Sequence, residues 1–409
     1  MTVGDDGPSG LPIRSFRLKN FKAVQDSGEV RFTPLTVFIG NNGSGKSSLI
    51  EGLQTYQAIL LNNLNVAMQS LKGYEYAHNP PLTGIRESKA KSKPMAFTLR
   101  LRAEEGGTAY AHMSVDASPN LDEVFIAEER VNFRNVNLIQ RDDKGYFSLG
   151  EERSLRRLLP DTSVLNPNVG GNFAGQYPNY PSPLDLLELT QLVNDIRLWQ
   201  FVTLNPVAMS QPRPRGRTNV QVFLNSDGSN IAEYLLDIRR RSVDAFDGII
   251  EALQYVLPYV KDVQPTLTSE LERTIFLQLS EETFKIPGWL MSSGTLRVLA
   301  LLALLRDPNP PPVIIIEEIE NGLDPRTIHL IVEELRAVVE NETTQVIITT
   351  HSPYLLDLLA LSQIVLVERV EGQPRFFRPG DEAELVEWGK NFGPGRLYTM
   401  NRLSSRKET

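Results

Sequence analysis

The chain has 409 residues, 41% of them hydrophobic and 22% charged, with a formal net charge of −8, no cysteine and four histidines. That length buries a core as one large domain or two, and the composition is that of an ordinary soluble globular protein. The acidic balance argues against coating nucleic acid through bulk charge, while leaving room for a local basic groove; without cysteine there is no disulfide and no thiolate zinc site.

Four histidines leave little for a histidine-based metal centre. No apolar run is long enough to span a bilayer, and the polar, acidic start is not that of a signal peptide, so a cytoplasmic location is expected. Residues 1–12, rich in Gly, Asp and Ser, read as disordered. Residues 13–21 and 29–32 read as strands, and the apolar run Leu35-Thr36-Val37-Phe38-Ile39 as a third.

That run leads into Gly40-Asn41-Asn42-Gly43-Ser44-Gly45-Lys46-Ser47 and then a helix, with Leu49, Ile50, Leu53, Tyr56, Leu60 and Leu64 at helical spacing. The helix is expected to reach about Leu71, before Gly73 and Pro80-Pro81 break it. Strand, glycine loop and helix together are the context of a phosphate-binding P-loop. Three glycines let backbone N–H groups of Asn41–Ser48 turn inward around a phosphate at a helix N-terminus. Lys46 then reaches the β- and γ-phosphates as a point charge, and the Ser47 hydroxyl ligates Mg²⁺. The plain alternative is a glycine-rich turn, which the flanking elements disfavour.

From 95 to 148 the chain changes character. Residues 95–101, 109–115, 124–133 and 136–139 alternate or carry β-branched and aromatic side chains, separated by turn residues, and predict an antiparallel sheet. Residues 160–183 are rich in Pro, Asn and Gly and read as a loop. Helices are expected at 184–197, 229–241 and 243–256, and strands at 198–204 and 273–279. No heptad array or internal repeat is present. Four basic clusters, Lys89-Lys91-Lys93, Arg153-Arg156-Arg157, Arg213-Arg215-Arg217 and Arg239-Arg240-Arg241, read first as solvated faces and second as nucleic-acid contacts. No aromatics interleave them as a single-strand stacking platform requires.

The last third alternates helix and strand: helix 296–305, strand 313–316, helix 328–339, strand 346–349, helix 353–361 and strand 364–367. This predicts an α/β fold with a doubly wound parallel sheet, interrupted between the P-loop and its second half. The strand Val313-Ile314-Ile315-Ile316 ends in Glu317 and Glu318, where carboxylates emerge at the ligand-binding edge. The first is expected to hold Mg²⁺ and the second to orient the attacking water; two surface acids after a core strand are the structural alternative.

Three further pieces stand in order around that strand. Met291-Ser292-Ser293-Gly294-Thr295-Leu296-Arg297 looks like an ABC-type signature loop, Asn321-Gly322-Leu323-Asp324-Pro325 resembles a D-loop, and Thr349-Thr350-His351-Ser352 resembles a switch-histidine loop. With the opening Ile13-Arg14-Ser15-Phe16-Arg17-Leu18-Lys19-Asn20-Phe21-Lys22, the chain resembles the ABC-type P-loop ATPases of the RecF, SMC and OLD group over residues 13–380. Ser-Gly-Thr-Leu-Arg, Ile-Glu-Asn-Gly-Leu-Asp-Pro and Asp227-Gly228-Ser229-Asn230-Ile231-Ala232 make it similar to the compact bacterial AAA family ATPases that lack a coiled coil and Toprim domain, as found in anti-phage defence.

The resemblance implies an ABC-type head with a mixed or parallel sheet, an antiparallel β subdomain and a helical insertion. Its expected parts are 13–94 and 291–380 for the two halves of the head, 95–290 for the subdomain and insertion, and 381–409 for a tail. It further implies a head-to-tail dimer, or a higher oligomer built from it, sandwiching ATP and Mg²⁺. Asn41, Asn42, Gly43, Ser44, Gly45, Lys46, Ser47 and Ser48 of one subunit would hold nucleotide, and Ser292, Ser293, Gly294 and Thr295 of the other would close on it. Glu318 would be the catalytic base, His351 would contact the γ-phosphate, Asp324 would couple the sites, and Ser47 with Glu317 would bind the metal. Glu317 stands where the wider family has aspartate, which implies slower turnover, and Ser293 where many relatives carry glycine or aspartate. Gln140 is one candidate for the Q-loop glutamine, against an exposed strand-end residue.

Val365-Leu366-Val367-Glu368-Arg369-Val370-Glu371-Gly372 is superficially similar to a Toprim glutamate strand, but no Asp-x-Asp follows to complete a metal site. No intrinsic nuclease is therefore expected. The leading expectation is an ATP-driven sensor or switch subunit of a bacterial anti-phage complex, controlling a separate effector such as a Toprim-like or HNH nuclease. The alternatives are a RecF-like DNA repair ATPase clamping duplex DNA and a slow-hydrolysing, ATP-locked scaffold.

Overall fold

The structure is a computed structural model that describes residues 13–79, 93–102, 107–118, 123–133, 136–149, 152–166, 183–214, 216, 221–268, 274–340 and 344–404. The start expected to be disordered, Lys89, Lys91, Arg215, Arg217, Arg273 and most of the 160–183 loop lie outside those residues.

Strands β1 (Ile13–Phe21), β2 (Val24–Asp26) and β3 (Val30–Arg31) precede the fully buried β4 (Leu35–Ile39). Helix α1 (Lys46–Leu61) follows, and it stops ten residues short of the expected end. Two asparagines end it, because a short amide competes with the helical backbone: Asn63 accepts the N–H of Val66 and caps a separate helix, α2 (Leu64–Ser70). A single turn, α3 (Tyr74–Ala77), comes next.

The antiparallel meander comprises β5 (Met95–Arg102), β6 (Thr108–Ala117), β7 (Val124–Phe133), β8 (Val136–Arg141), β9 (Tyr146–Leu149) and β10 (Glu152–Arg157). The last two extend beyond the expected strands. A tight turn makes them possible, with Asp142 Oδ1 accepting the N–H groups of Lys144 and Tyr146 and Gly145 at φ +81°. β5 pairs with β1, so the meander and the strands before the P-loop form one nine-stranded sheet, β10-β9-β8-β7-β6-β5-β1-β2 with β3 on β1.

The insertion holds α4 (Pro183–Arg197), β11 (Gln200–Val202), α5 (Pro206–Ser210), β12 (Arg213–Pro214), α6 (Ile231–Arg241), α7 (Val243–Val256), β13 (Asp262–Leu267), β14 (Thr274–Ser280) and β15 (Lys285–Pro287). β11 is shorter than expected because Leu198 and Trp199 close the end of α4 through backbone bonds to Asn194 and Ile196. The cluster on α6 is no free basic face. Arg241 pairs with Asp307 at 2.6 Å and Asp237 at 2.9 Å, and the Arg239 guanidinium lies 5.3 Å over the Phe246 ring.

The remaining elements are α8 (Ser293–Leu305), β16 (Val313–Ile316), α9 (Pro325–Glu340), β17 (Gln345–Thr350), α10 (Pro353–Asp357), β18 (Ile364–Val370), β19 (Gln373–Phe377), α11 (Ala383–Gly389) and α12 (Pro394–Thr399). Both α8 and α9 start three residues earlier than the apolar periodicity alone indicates, because their first turns are polar. α10 stops at Asp357, where a 3-10 turn at Leu361–Gln363 feeds β18.

The second sheet runs β11-β16-β17-β4-β18-β19, parallel except for the edge strand β19. Alternate side chains serve two cores, as the period of a strand dictates. Val37, Ile314, Ile316, Val346, Ile348 and Leu366 pack against the helices of the insertion, with α8 and α9. Phe38, Val313, Ile315, Ile347, Val365 and Val367 pack against α1 and the antiparallel sheet. The P-loop strand therefore stands inside the sheet, with its C-terminal end opening on the edge where α/β folds bind ligands.

Candidate nucleotide-binding site

β4 delivers the chain to Gly40, where close approach excludes any side chain: a Cβ there would lie 2.0 Å from the carbonyl oxygen of Val367. At Gly45, which opens α1, φ is +114° and a Cβ would meet the Pro374 ring at 2.6 Å. Between them the loop wraps a cavity of 190 Å³ lined by Ala23, Asn42, Gly43, Ser44, Gly45, Lys46, Ser47, Ser48, Glu318, Thr349, His351 and Arg369.

Lys46 is buried, and its ammonium donates to the carbonyls of Gly40 at 2.6 Å and Asn41 at 3.2 Å. Burial pushes its pKa down, while the charges of Glu318, Glu320 and Glu317 push it up. The Ser44 hydroxyl is buried with no hydrogen-bond partner. An anionic oxygen seated in the loop would satisfy it, so the cradle fits a phosphate.

Glu317 is half-buried and hydrogen-bonded to the Ser47 hydroxyl, with Thr203 Oγ1 3.5 Å from its carboxylate. Burial raises its pKa, and the charges of Glu51 and Glu318 add to the rise, against those two hydroxyls. Two hard oxygen donors, Ser47 and Glu317, thus meet beside the loop. No cluster of three or more His, Cys, Asp or Glu is present among the described residues. That set suits magnesium, which usually takes one or two protein oxygens and completes its shell with phosphate and water.

Glu318 is exposed at the cavity, with φ +49°. Its N–H donates to Thr349 Oγ1 at 2.9 Å and its carboxylate accepts from the Asn321 amide. His351 lines the same cavity and donates its N–H to Glu320. The chain therefore brings together Asn42–Ser48, Glu317, Glu318 and His351, with Asn41 at the loop's flank, where its side chain lies 3.3 Å from the Tyr398 hydroxyl.

It does not bring the signature or D-loop residues to that cavity. Ser292 caps α8, accepting the Thr295 N–H at 3.1 Å and contacting its hydroxyl at 2.8 Å; Ser292 and Ser293 are exposed. Gly294 lies so near the D-loop that a Cβ would come 2.8 Å from the Gly322 carbonyl. Asp324 accepts the N–H groups of Arg326 and Thr327 and the Thr327 hydroxyl at 2.6 Å, which caps α9 and holds its pKa below the usual carboxylate range. Gln140 is exposed in β8, bonded to Asn137, and does not line the cavity.

Thr203 and Arg369 join the site without having been expected there. Thr203 had one signal, a hydroxyl residue closing a predicted strand. Arg369 had none, since its place depends on how β18 registers against β4.

Among protein families, one model described as "AAA domain, putative AbiEii toxin, Type IV TA system" matches residues 68–357, and one described as "AAA ATPase domain" matches residues 12–93. An ATP/GTP phosphatase of Helicobacter pylori is 21% identical over 370 residues, covering 89% of this chain and 91% of its own. Solved structures that resemble it include an SMC head bound to the C-terminal winged-helix domain of ScpA (12% identity, 90% of this chain, 97% of that chain, TM-score 0.49). Another is the SMC head domain from Thermotoga maritima (12% identity, 90% of this chain, 99% of that chain, TM-score 0.44).

Proposed function

The chain belongs to the AAA-domain family whose model spans residues 68–357 and is a compact P-loop ATPase, and from that premise we propose that it is the ATP-hydrolysing switch subunit of a bacterial anti-phage complex. One observation carries the reading of how it works. The P-loop, Glu318 and His351 line one cavity, with Glu317 held beside it by the Ser47 hydroxyl, whereas Ser292–Thr295 and Asp324 do not line it, and Gly294 packs instead against the Gly322 carbonyl. Each chain then carries two half-sites, and a head-to-tail pair completes both, with the exposed N-terminus of α8 from one subunit facing phosphate held by the other.

Within such a pair, loop N–H groups and Lys46 hold the β- and γ-phosphates. Ser47 and Glu317 are the residues that would hold Mg²⁺, which would supply charge neutralisation for the phosphates. Glu318 accepts the proton of the attacking water, and His351 orients that water. The family description, which names a putative AbiEii toxin of a type IV TA system, favours a defence role over repair. The ion pairs that occupy Arg241, and the seat of Arg239 on Phe246, leave less of the α6 cluster for duplex DNA; the effector in this reading is a separate protein, such as a Toprim-like or HNH nuclease.

Mass photometry of the Glu318→Gln protein, with and without ATP, alone and with the product of its neighbouring gene, tests this. An ATP-dependent dimer that carries the neighbour is the expected result. A dimer that ignores the neighbour but binds duplex DNA with a steep salt dependence would replace the defence reading with repair. A protein that stays monomeric with ATP bound would remove the shared-site reading.

A further inference from the structure

The P-loop is gripped from one side by the β18–β19 hairpin. β18 runs parallel to β4 in the register Leu366↔Ile39, and it continues past the end of β4 alongside the loop. Three contacts follow in sequence. The Val367 carbonyl closes on Gly40, Arg369 Nε donates to the Gly43 carbonyl at 2.8 Å, and Pro374, which pairs with Arg369 across the hairpin, closes on Gly45.

Arg369 is exposed and lines the same cavity as Lys46, Glu318 and His351. Among the described residues its Nη1 and Nη2 hold no acceptor and no carboxylate pairs with it. Gly43 faces open space at that point, since a Cβ there would meet nothing within 4 Å. A guanidinium fixed through Nε keeps its other donors in one plane, unlike a mobile lysine. The hairpin therefore sets a pre-positioned positive charge at the mouth of the phosphate cradle, with donors to spare.

We propose that Arg369 contacts the γ-phosphoryl group and stabilises it during hydrolysis, an arginine supplied by β18 of the same chain. This rests on the ATP-hydrolysing reading of the cavity given above. In the step itself, the water oxygen bonds to the γ-phosphorus while the bond from that phosphorus to the β–γ bridging oxygen breaks. The electron pair stays on the β-phosphate of ADP, and the water proton passes to Glu318. Charge spreads over the oxygens of the transferring group, where Nη1 and Nη2 are free to meet it. Lys46, tied to the carbonyls of Gly40 and Asn41, serves the phosphates in the ground state as well.

The test compares Arg369→Ala and Arg369→Lys with Lys46→Ala and Glu318→Gln, reading phosphate release at saturating Mg-ATP, binding of a fluorescent ATP analogue, and thermal midpoint. Removing one preorganised donor group is expected to lower kcat for Arg369→Ala by about 10²–10³-fold, with nucleotide Kd changed by less than about fivefold and the thermal midpoint retained. Arg369→Lys should recover only part of the rate, since an ammonium cannot reproduce the fork, and added methylguanidinium should restore part of the Arg369→Ala rate.

Hydrolysis by Arg369→Ala within about threefold of wild type, alongside an inactive Lys46→Ala, would overturn the proposal and leave Arg369 as a strut for the loop. Equal losses of binding and thermal midpoint in both Arg369 variants would overturn it in the same way. Wild-type hydrolysis by Lys46→Ala and Glu318→Gln together would instead bring down the reading of the cavity on which it rests.

Discussion

If Glu318 is the base, as proposed, replacing it by glutamine should separate nucleotide binding from hydrolysis, and the surroundings of Glu318 set the size of the effect. The residue holds φ +49°, a left-handed conformation that costs an L-residue roughly 1–2 kcal/mol. Glutamine bears the same cost, so backbone strain cancels in the comparison. The anchoring bond, from the Glu318 N–H to Thr349 Oγ1, involves only backbone on that side and survives. The amide oxygen of glutamine can still accept from Asn321 as the carboxylate does. Because the side chain is exposed, folding stability should change by no more than about 0.5 kcal/mol. What is lost is proton acceptance from the attacking water, worth about 10²–10⁴ in rate, or roughly 2.7–5.4 kcal/mol of barrier. Single-turnover phosphate release should fall by that factor, while ATP affinity and the thermal midpoint stay at wild-type values. Hydrolysis at the wild-type rate would refute the assignment of Glu318 as the base. A matching loss of affinity would refute the argument that its role begins only after ATP is bound.

Lys46→Ala removes a buried charge that bonds to two loop carbonyls; titration calorimetry should show ATP affinity weakened by at least about a hundredfold, since hydrogen bonds to charged groups contribute roughly 1.5–3 kcal/mol each. Asp307→Ala should cost about 3 kcal/mol in urea unfolding, although Asp307 does not line the phosphate cavity, because it accepts from Arg241 Nη1 and Nη2 at 2.6 and 2.8 Å and from the Tyr234 hydroxyl at 2.6 Å; those three donors lose their acceptor, while Arg241 keeps its pair with Asp237 through Nε. Glu129, fully buried, has its pKa raised by burial, against hydrogen bonds from Ser163 and Val164 and the charge of Arg141. A raised carboxylate pKa means that ionisation opposes folding, so stability relative to Glu129→Gln should grow as pH falls from the raised value toward the unfolded one; urea midpoints that diverge in the opposite sense would show that the hydrogen bonds outweigh burial.

How much of the site could be read in advance depended on the distance over which each part is assembled. The P-loop and the Glu317-Glu318 pair are contiguous stretches whose spacing states their chemistry, so their convergence needed only the parallel sheet already implied by the strand–helix alternation. Arg369 and Thr203 reach the same place through pairings between strands far apart in sequence, β18 on β4 and β11 on β16, and no local pattern records such a register. The same reason hid β19, whose Pro374 shapes the loop at Gly45. Short polar segments escape the sequence pattern for another reason: periodicity is carried by apolar residues, so helices α8 and α9 begin before it does, and α1 ends at Asn62-Asn63 although leucines continue on its face. The arginines of α6 looked like a solvated basic face because Asp307 and Phe246, which occupy two of them, come from elsewhere in the chain.

The nine residues from Ile316 to Asp324 connect the phosphate cavity to the loop at Ser292–Thr295 through short physical steps. At one end Glu317 meets Ser47 and Thr203, and Glu318 faces the phosphate cavity. One turn later the Asn321 amide holds the Glu318 carboxylate, Glu320 accepts the His351 N–H, and the Gly322 carbonyl lies against Gly294 of the signature loop. At the far end Asp324 caps α9. A displacement of the signature loop therefore presses first on Gly322, one residue from the amide that orients the base. In the head-to-tail pair proposed above, a subunit docked against Ser292–Thr295 would be registered at Glu318 of the same chain, and so would couple the chemistry of one site to the occupancy of the other.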